Sequence, residues 1–174
     1  MTNSKKRFPV FFWKIFLLMG SMLVVVGLSY TLITANLAEK YFQERSQVLN
    51  ASIASHIITE VKPFIDGELS ESATDEIMGH MMAINPSIEV YILDPDGNIL
   101  NYVAPYKKVK MDRVNLTPVY DFIGQEEEEH AYITGDDPRN PDKQKVFSAA
   151  PIVDNEQTLG YVYVAVSYTH LTLP

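Results

Sequence analysis

Hydrophobic and polar positions follow three different rhythms along the chain. From Ile15 to Ile33 there are 19 residues without a charge. At 1.5 Å per residue they predict a helix of roughly 28 Å, close to the hydrocarbon thickness of a bilayer at about 30 Å. From Asn36 to Lys62 no Gly or Pro occurs, and Tyr41, Val48, Leu49, Ile53, Ile57 and Val61 recur at helical spacing. This reads as a helix running straight on from the first, ended or bent by Pro63. Ser72 to Ile84 predicts a further helix with Ile77, Met78, Met81 and Met82 on its apolar side, closed by Asn85-Pro86.

The period then shortens to two. Ile88, Val90 and Ile92 alternate with Glu89, Tyr91 and Leu93, and Ile99 to Val103 returns after DPDG. Pro95 suits the second position of a tight turn and Gly97 its last, so the stretch predicts a hairpin. Leu116 to Ile123 predicts a short helix with Thr117-Pro118 at its start, and His130 to Thr134 a strand. GDDPRNPDK reads as loop, and Lys145–Ile152 and Leu159–Val166 as two strands joined by DNEQT. The expected fold class is α+β: a transmembrane helix continuing into a long helix, packed on a mixed antiparallel sheet.

Charge orients the first segment. Lys5, Lys6, Arg7 and Lys14 precede it, and Glu39, Lys40 and Glu44 follow. The cationic end faces the cytoplasm by the positive-inside rule, with Phe12 and Trp13 at the interface. A cleaved signal peptide is the competing reading. The candidate sites, Ile33-Thr34-Ala35 and Asn36-Leu37-Ala38, lack the small-x-small pattern, and the apolar run is long, so an uncleaved anchor is favoured. Four regions follow: a basic tail (1–14), a membrane helix (15–35), an extracytoplasmic domain (36–166) and a terminal tail (167–174).

All 22 acidic residues lie beyond residue 35, with ten Lys or Arg, a formal −12. Phosphate backbones would be repelled by such a body, which argues against nucleic acid. No Cys is present, which removes disulfides and thiolate metal sites. His56, His80, His130 and His170 show no metal-ligand spacing, and no nucleophile–base or paired-carboxylate pattern stands out. Glu126, Glu127, Glu128 and Glu129 form a run that would attract a divalent cation, although a solvated charge run is the plainer reading.

Four stretches carry a resemblance: NPSIEVYILDPDGNIL (85–100), KVKMDRVNLTPVYDFI (108–123), GDDPRNPDKQKVFSAAPI (135–152) and GYVYVAV (160–166). With the N-terminal anchor they resemble the periplasmic PAS-like sensor domain, also called PDC or single Cache, of bacterial sensor histidine kinases. The resemblance covers about residues 5 to 166. It implies a PAS-like sheet, a homodimer, and an unidentified small ligand or cation. Kinases of this kind continue into a second membrane helix, a HAMP linker, a phosphoacceptor-histidine helix pair and an ATP-binding domain, none of which is in these residues. ATP, Mg²⁺ and a response regulator belong to that missing core, and no cofactor is expected here. The terminal SYTHLTLP is not apolar enough for a bilayer and resembles translated sequencing adaptor, so 167–174 are expected to be non-native.

By the same resemblance, the ligand lining would come from the central strands and the segment after the hairpin. Candidates are Tyr91, Tyr102, Arg113, Tyr120, His130, Asp137, Arg139 and Ser148. Arg113 and Arg139 together would clamp a carboxylate with paired donors. A structural role is the default for each: Tyr91 and Tyr102 as a cross-strand core pair, Arg139 tied to Asp136 or Asp137 within its loop. Because such sensors are exchanged among outputs, a chemoreceptor or a cyclic-dinucleotide synthase is an alternative parent. An anchored binding domain without output is another.

Overall fold

The computed structural model describes residues 10–61, 64–65, 68–70, 88–104, 109–125 and 132–166. The predicted helix Ser72–Ile84, the acidic run 126–129, His130 and the tail 167–174 lie outside the described residues. The chain divides into two units, Met1–Phe42 and Gln43–Pro174.

The first unit is helical from Val10 onward, as part of α1 (Val10–Asn50). Its side chains are exposed all round, with Leu18 and Leu23 about as open as Trp13 and Phe16. A helix apolar on every side, and covered on none, is compatible with membrane anchoring. It is long and apolar enough to cross a membrane. Two of its hydroxyls bond within the helix: Ser21 Oγ donates to Leu18 O at 2.8 Å and Thr31 Oγ1 to Gly27 O at 2.9 Å. That removes the cost of carrying them into hydrocarbon. Trp13 stacks on Phe16 with ring centroids 5.7 Å apart.

The second unit is α+β. After α1 come α2 (Ile53–Val61), the short strands β1 (Phe64–Ile65) and β2 (Glu68–Leu69), then β3 (Ile88–Leu93) and β4 (Ile99–Val103). Next are α3 (Leu116–Ile123), β5 (Thr134–Asp136), β6 (Gln144–Asp154) and β7 (Gln157–Val166). β1 and β2 pair as a minimal hairpin. The main sheet has the order β4-β3-β7-β6-β5 and every neighbouring pair is antiparallel.

The turn chemistry fixes both long hairpins. Between β3 and β4, Asp94 accepts from the amides of Asp96 and Asn98 and from Asn98 Nδ2, while Gly97 N–H returns to Asp94 O at 3.0 Å. Gly97 has φ +90°, and a Cβ there would stand 2.5 Å from Val114 O. Only glycine fits both demands. Between β6 and β7, Asn155 (φ 48°) and Glu156 (φ 65°) form the tight two-residue turn whose hand matches strand twist. The strands therefore run further into DNEQT than the sequence predicted.

Both faces of the sheet are covered. On one, Val90, Ile92, Ala150, Ile152, Val162 and Val164 pack against Ala54 and Ile57 of α2. On the other, Tyr91, Leu93, Phe147, Ala149, Tyr161 and Tyr163 meet Val114 and Val119. Each fully buried aliphatic side chain contributes about 1.5–3 kcal/mol. Asn115 caps α3 by accepting from Thr117 N at 3.0 Å, and its own amide donates to Asp136 Oδ2. The cap thus ties α3 to β5.

One expectation changes. The helix predicted from Asn36 to Lys62 is two helices, broken at Ala51-Ser52. No Gly or Pro lies there, and the Ser148 hydroxyl of β6 bonds Ala51 O and Ala54 N across the break.

Candidate functional site

β3 is buried at every position, including Glu89 at 0 % exposure. In an alternating strand covered on both faces, a charged residue is buried wherever it falls. It must then be paired. Glu89 Oε1 accepts from Arg139 Nη1 at 2.5 Å and Lys145 Nζ at 3.0 Å, and Oε2 accepts from the Tyr91 hydroxyl at 2.8 Å. Lys145 Nζ also lies 3.2 Å from Asp137 Oδ2.

These groups come from three places. Glu89 and Tyr91 share a face two residues apart on β3, Lys145 stands near the start of β6, and Asp137 and Arg139 belong to the loop between β5 and β6. That loop is built on Asp137. Its carboxylate accepts from Arg139 N at 3.0 Å and Asn140 Nδ2 at 2.9 Å, while its backbone amide donates to Lys143 O. Lys110 and Met111 amides both donate to Pro138 O. The GDDPRNPDK segment is consequently an ordered clamp lying on the sheet. Two carboxylates and two cations make the cluster formally neutral.

The electrostatics follow the packing. Burial works against ionisation of Asp137, yet the Asn140 hydrogen bond, the Lys145 charge and the Arg139 amide hold its carboxyl below the ordinary range. Burial, and then the Glu89 charge, push the Tyr91 hydroxyl far up, so it stays a neutral donor. Burial likewise raises Tyr163, whose hydroxyl donates to Asp136 O at 2.8 Å. Burial and the Tyr120 contact push Tyr161 up to about 12.

Beside the ion cluster the face is aromatic. Tyr91 lies between Tyr102 and Tyr163, with centroids 6.3 and 6.2 Å away, and Tyr163 stacks on Phe147 at 4.8 Å. Gly135 makes this possible: a Cβ there would stand 2.6 Å from the Tyr163 hydroxyl. Tyr120 meets Tyr161 edge-on at 5.8 Å.

The sequence-derived candidates therefore separate. Tyr91, Asp137 and Arg139 come together in one cluster. Tyr102 pairs with Tyr91 across the strands, but at 39 % exposure it lies outside the core that holds Tyr91. Tyr120 is half exposed on α3. Arg113 donates through Nε to Asp96 O at 3.0 Å, beyond the far end of β3 from Glu89, so it and Arg139 do not form one clamp. The Arg139 guanidinium reaches Glu89, while its backbone amide is the part tied to Asp137 within the loop. Ser148 is fully buried on the opposite face, where its hydroxyl donates to Ala51 O at 2.7 Å and accepts from Ala54 N at 3.3 Å. His130 and Glu126 to Glu129 lie outside the described residues.

Sequence reasoning missed Glu89, Lys145, Gln47 and Tyr163. The available signal for Glu89 was one acid inside IEVYIL with Tyr91 on the same face. The groups of the cluster pair with one another and hold the β5–β6 loop on the sheet. Among the described residues no group of three or more His, Asp or Glu is placed to hold a metal ion. One donor is left over: Arg139 Nε is buried without a hydrogen-bond partner among the described residues. No protein-family model, curated protein or solved structure matches the chain.

Proposed function

We propose that this chain is the signal-sensing region of a membrane-bound two-component sensor histidine kinase. Its N-terminus is cytoplasmic and residues 36–166 form a PAS-like sensor domain on the far side of the cell membrane. The observation that carries the reading is α1. One helix holds the uncharged span Ile15–Ile33 and, further on, Gln47, whose side chain is bonded into the sheet. The antiparallel sheet, with β3 and β7 side by side at its centre and helices on both faces, fits a PAS-like fold. The cationic flank before Ile15 supports the orientation.

In this reading a ligand acts on the aromatic face, where Tyr102 and Tyr120 are accessible and Arg139 Nε is an unused donor. Ligand binding shifts the clamp loop and the sheet, and α1 carries the shift across the bilayer. Leu37 and Leu49, exposed on α1, favour pairing with a second copy. The parent's kinase core would use ATP and Mg²⁺ to phosphorylate a histidine and pass the phosphoryl group to a response regulator.

Two experiments test this. The chain has no cysteine. Single cysteines at Asp142 (D142C) and Thr2 (T2C) are therefore clean probes for a membrane-impermeant maleimide on intact cells. Labelling at 142 and protection at 2 is expected, and the reverse pattern, or recovery of the chain in the soluble fraction, overturns the topology. The reading frame downstream of Val166 should encode a second membrane helix and a phosphoacceptor-histidine helix. A stop codon or a GGDEF-like motif there overturns the kinase output.

A further inference from the structure

Residues 43–61 contain no Gly and no Pro, although Asn50 Nδ2 donates to Ser46 O at 2.7 Å just before the break. Interruptions of such helices come from a group inserted into the hydrogen-bond ladder. Here the group is the Ser148 hydroxyl. In an unbroken helix the Ala54 amide would donate to Asn50 O, four residues back. Instead it points at Ser148 Oγ, 3.3 Å away, while that hydroxyl donates to Ala51 O at 2.7 Å. Ser148 thereby serves as an N-cap for α2 supplied from another element.

One turn earlier the same helix is fastened again. β5 and β6 pair from Asp136↔Gln144 to Thr134↔Val146. At the next position the Gln47 carboxamide stands between the strands. Its Oε1 accepts from Ile133 N at 2.7 Å, and its Nε2 donates to Ile133 O at 2.8 Å and Phe147 O at 2.9 Å. A side-chain amide fills the fork as a peptide group would. Residues 47–54 are thus tied to both strands that carry the clamp loop between them. A cavity of about 20 Å³ lies against the same turns, lined by Gln47, Val48, Ala51, Phe122 and Tyr132 among others. It is large enough for about one water molecule, so the backbone has room to shift there.

We propose that the Ala51–Ser52 break is a two-position joint set by β6. With the Ser148 hydroxyl between Ala51 and Ala54 the helix is broken, and when β6 withdraws, residues 43–61 close into one uninterrupted helix. The hydrogen bonds exchanged are equal in kind, two to Ser148 against the missing i→i−4 bonds. The use of the joint to relay a signal rests on the sensor reading above; its existence does not.

The test uses the full chain in lipid nanodiscs, with spin labels on R45C and E60C. Ser148→Ala is expected to bring the 45–60 distance to that of a continuous helix, about 22 Å along the axis. Ala51 and Ser52 ¹³Cα shifts should become helical. Ser148→Thr, which keeps the hydroxyl, is expected to retain the wild-type distance. A Ser148→Ala chain with the wild-type distance and a non-helical Ser52 overturns the proposal, because the break would then be intrinsic. Should Ser148→Ala not fold, wild-type hydrogen exchange decides. The Ala54 and Ile133 amides should open with one common equilibrium constant, and clearly different constants overturn the joint. Neither result depends on the output domain.

Discussion

Replacing Glu89 by Gln keeps the shape of the side chain and one acceptor but removes the charge that Arg139 and Lys145 face. The two cations are affected unequally. Lys145 retains Asp137 at 3.2 Å. Arg139 loses the carboxylate that its Nη1 contacts, and its Nε is already unpartnered. Removing one member of a fully buried pair costs about 3–5 kcal/mol. The cation side chains here are 13 % and 18 % exposed, so water takes up part of the loss. We therefore expect Glu89→Gln to destabilise the second unit by about 2–4 kcal/mol. At roughly 3 °C per kcal/mol for a domain of this size, the melting temperature should fall by about 6–12 °C. Urea unfolding of the full chain in detergent, followed by tyrosine near-UV dichroism, measures this directly. A double-mutant cycle with Arg139→Gln isolates the pair, and the coupling should be at least about 1 kcal/mol. A cost under about 0.5 kcal/mol for Glu89→Gln, typical of a surface site, would show that the cluster is not the clamp's anchor.

The other expectations concern close packing and pH. Gly160→Ala would place a Cβ 2.1 Å from Leu93 O, backbone against backbone at the β6–β7 bulge, so it should cost at least the 1–3 kcal/mol of ordinary overpacking in the same urea assay. Gly135→Ala should cost about 1–3 kcal/mol and shift the tyrosine dichroism, because Tyr163 must leave Asp136 O to make room; an unchanged spectrum refutes the packing argument. Asp137 has a folded pKa below its unfolded value of about 3.9, so the unfolded chain binds more protons between the two values. The stability it contributes is complete above the unfolded pKa and is lost as pH falls through the folded one. Asp137→Asn should therefore flatten the fall of the urea midpoint below about pH 5, and an undiminished slope would assign that fall to other groups.

The sequence carried the long-period and turn-borne features well. An uncharged run of 19 residues needs no tertiary context to be read as a membrane-crossing helix. DPDG fixes a hairpin by local chemistry, and Thr117-Pro118 marks the start of α3. What depended on distant partners was not legible. Across the break at Ala51-Ser52, Ala54 N donates to a serine 94 residues away, and no window of sequence contains both. Alternation in IEVYIL marked a strand and did not single out Glu89. Because α2 covers one side and α3 with its flanking loop the other, the whole strand is buried, and Glu89 becomes a core residue.

That failure is informative about Glu89 itself. Local rules are broken in folded chains where something else is gained. A buried ion cluster is weak evidence for stability, since apolar residues of the same volume often serve as well. It does, however, impose geometry: Arg139 and Lys145 reach Glu89 only when the β5–β6 loop lies over β3 in one register. The loop leads directly into β6, whose Phe147 and Ser148 hold Gln47 and the helix break. Loosening Glu89 should thus be felt at Ala51-Ser52 before the sheet unfolds. In the doubly labelled chain, Glu89→Gln should broaden the 45–60 distance distribution under conditions where the tyrosine dichroism is still native. A distribution as narrow as wild type under those conditions would mean that clamp and joint are mechanically independent.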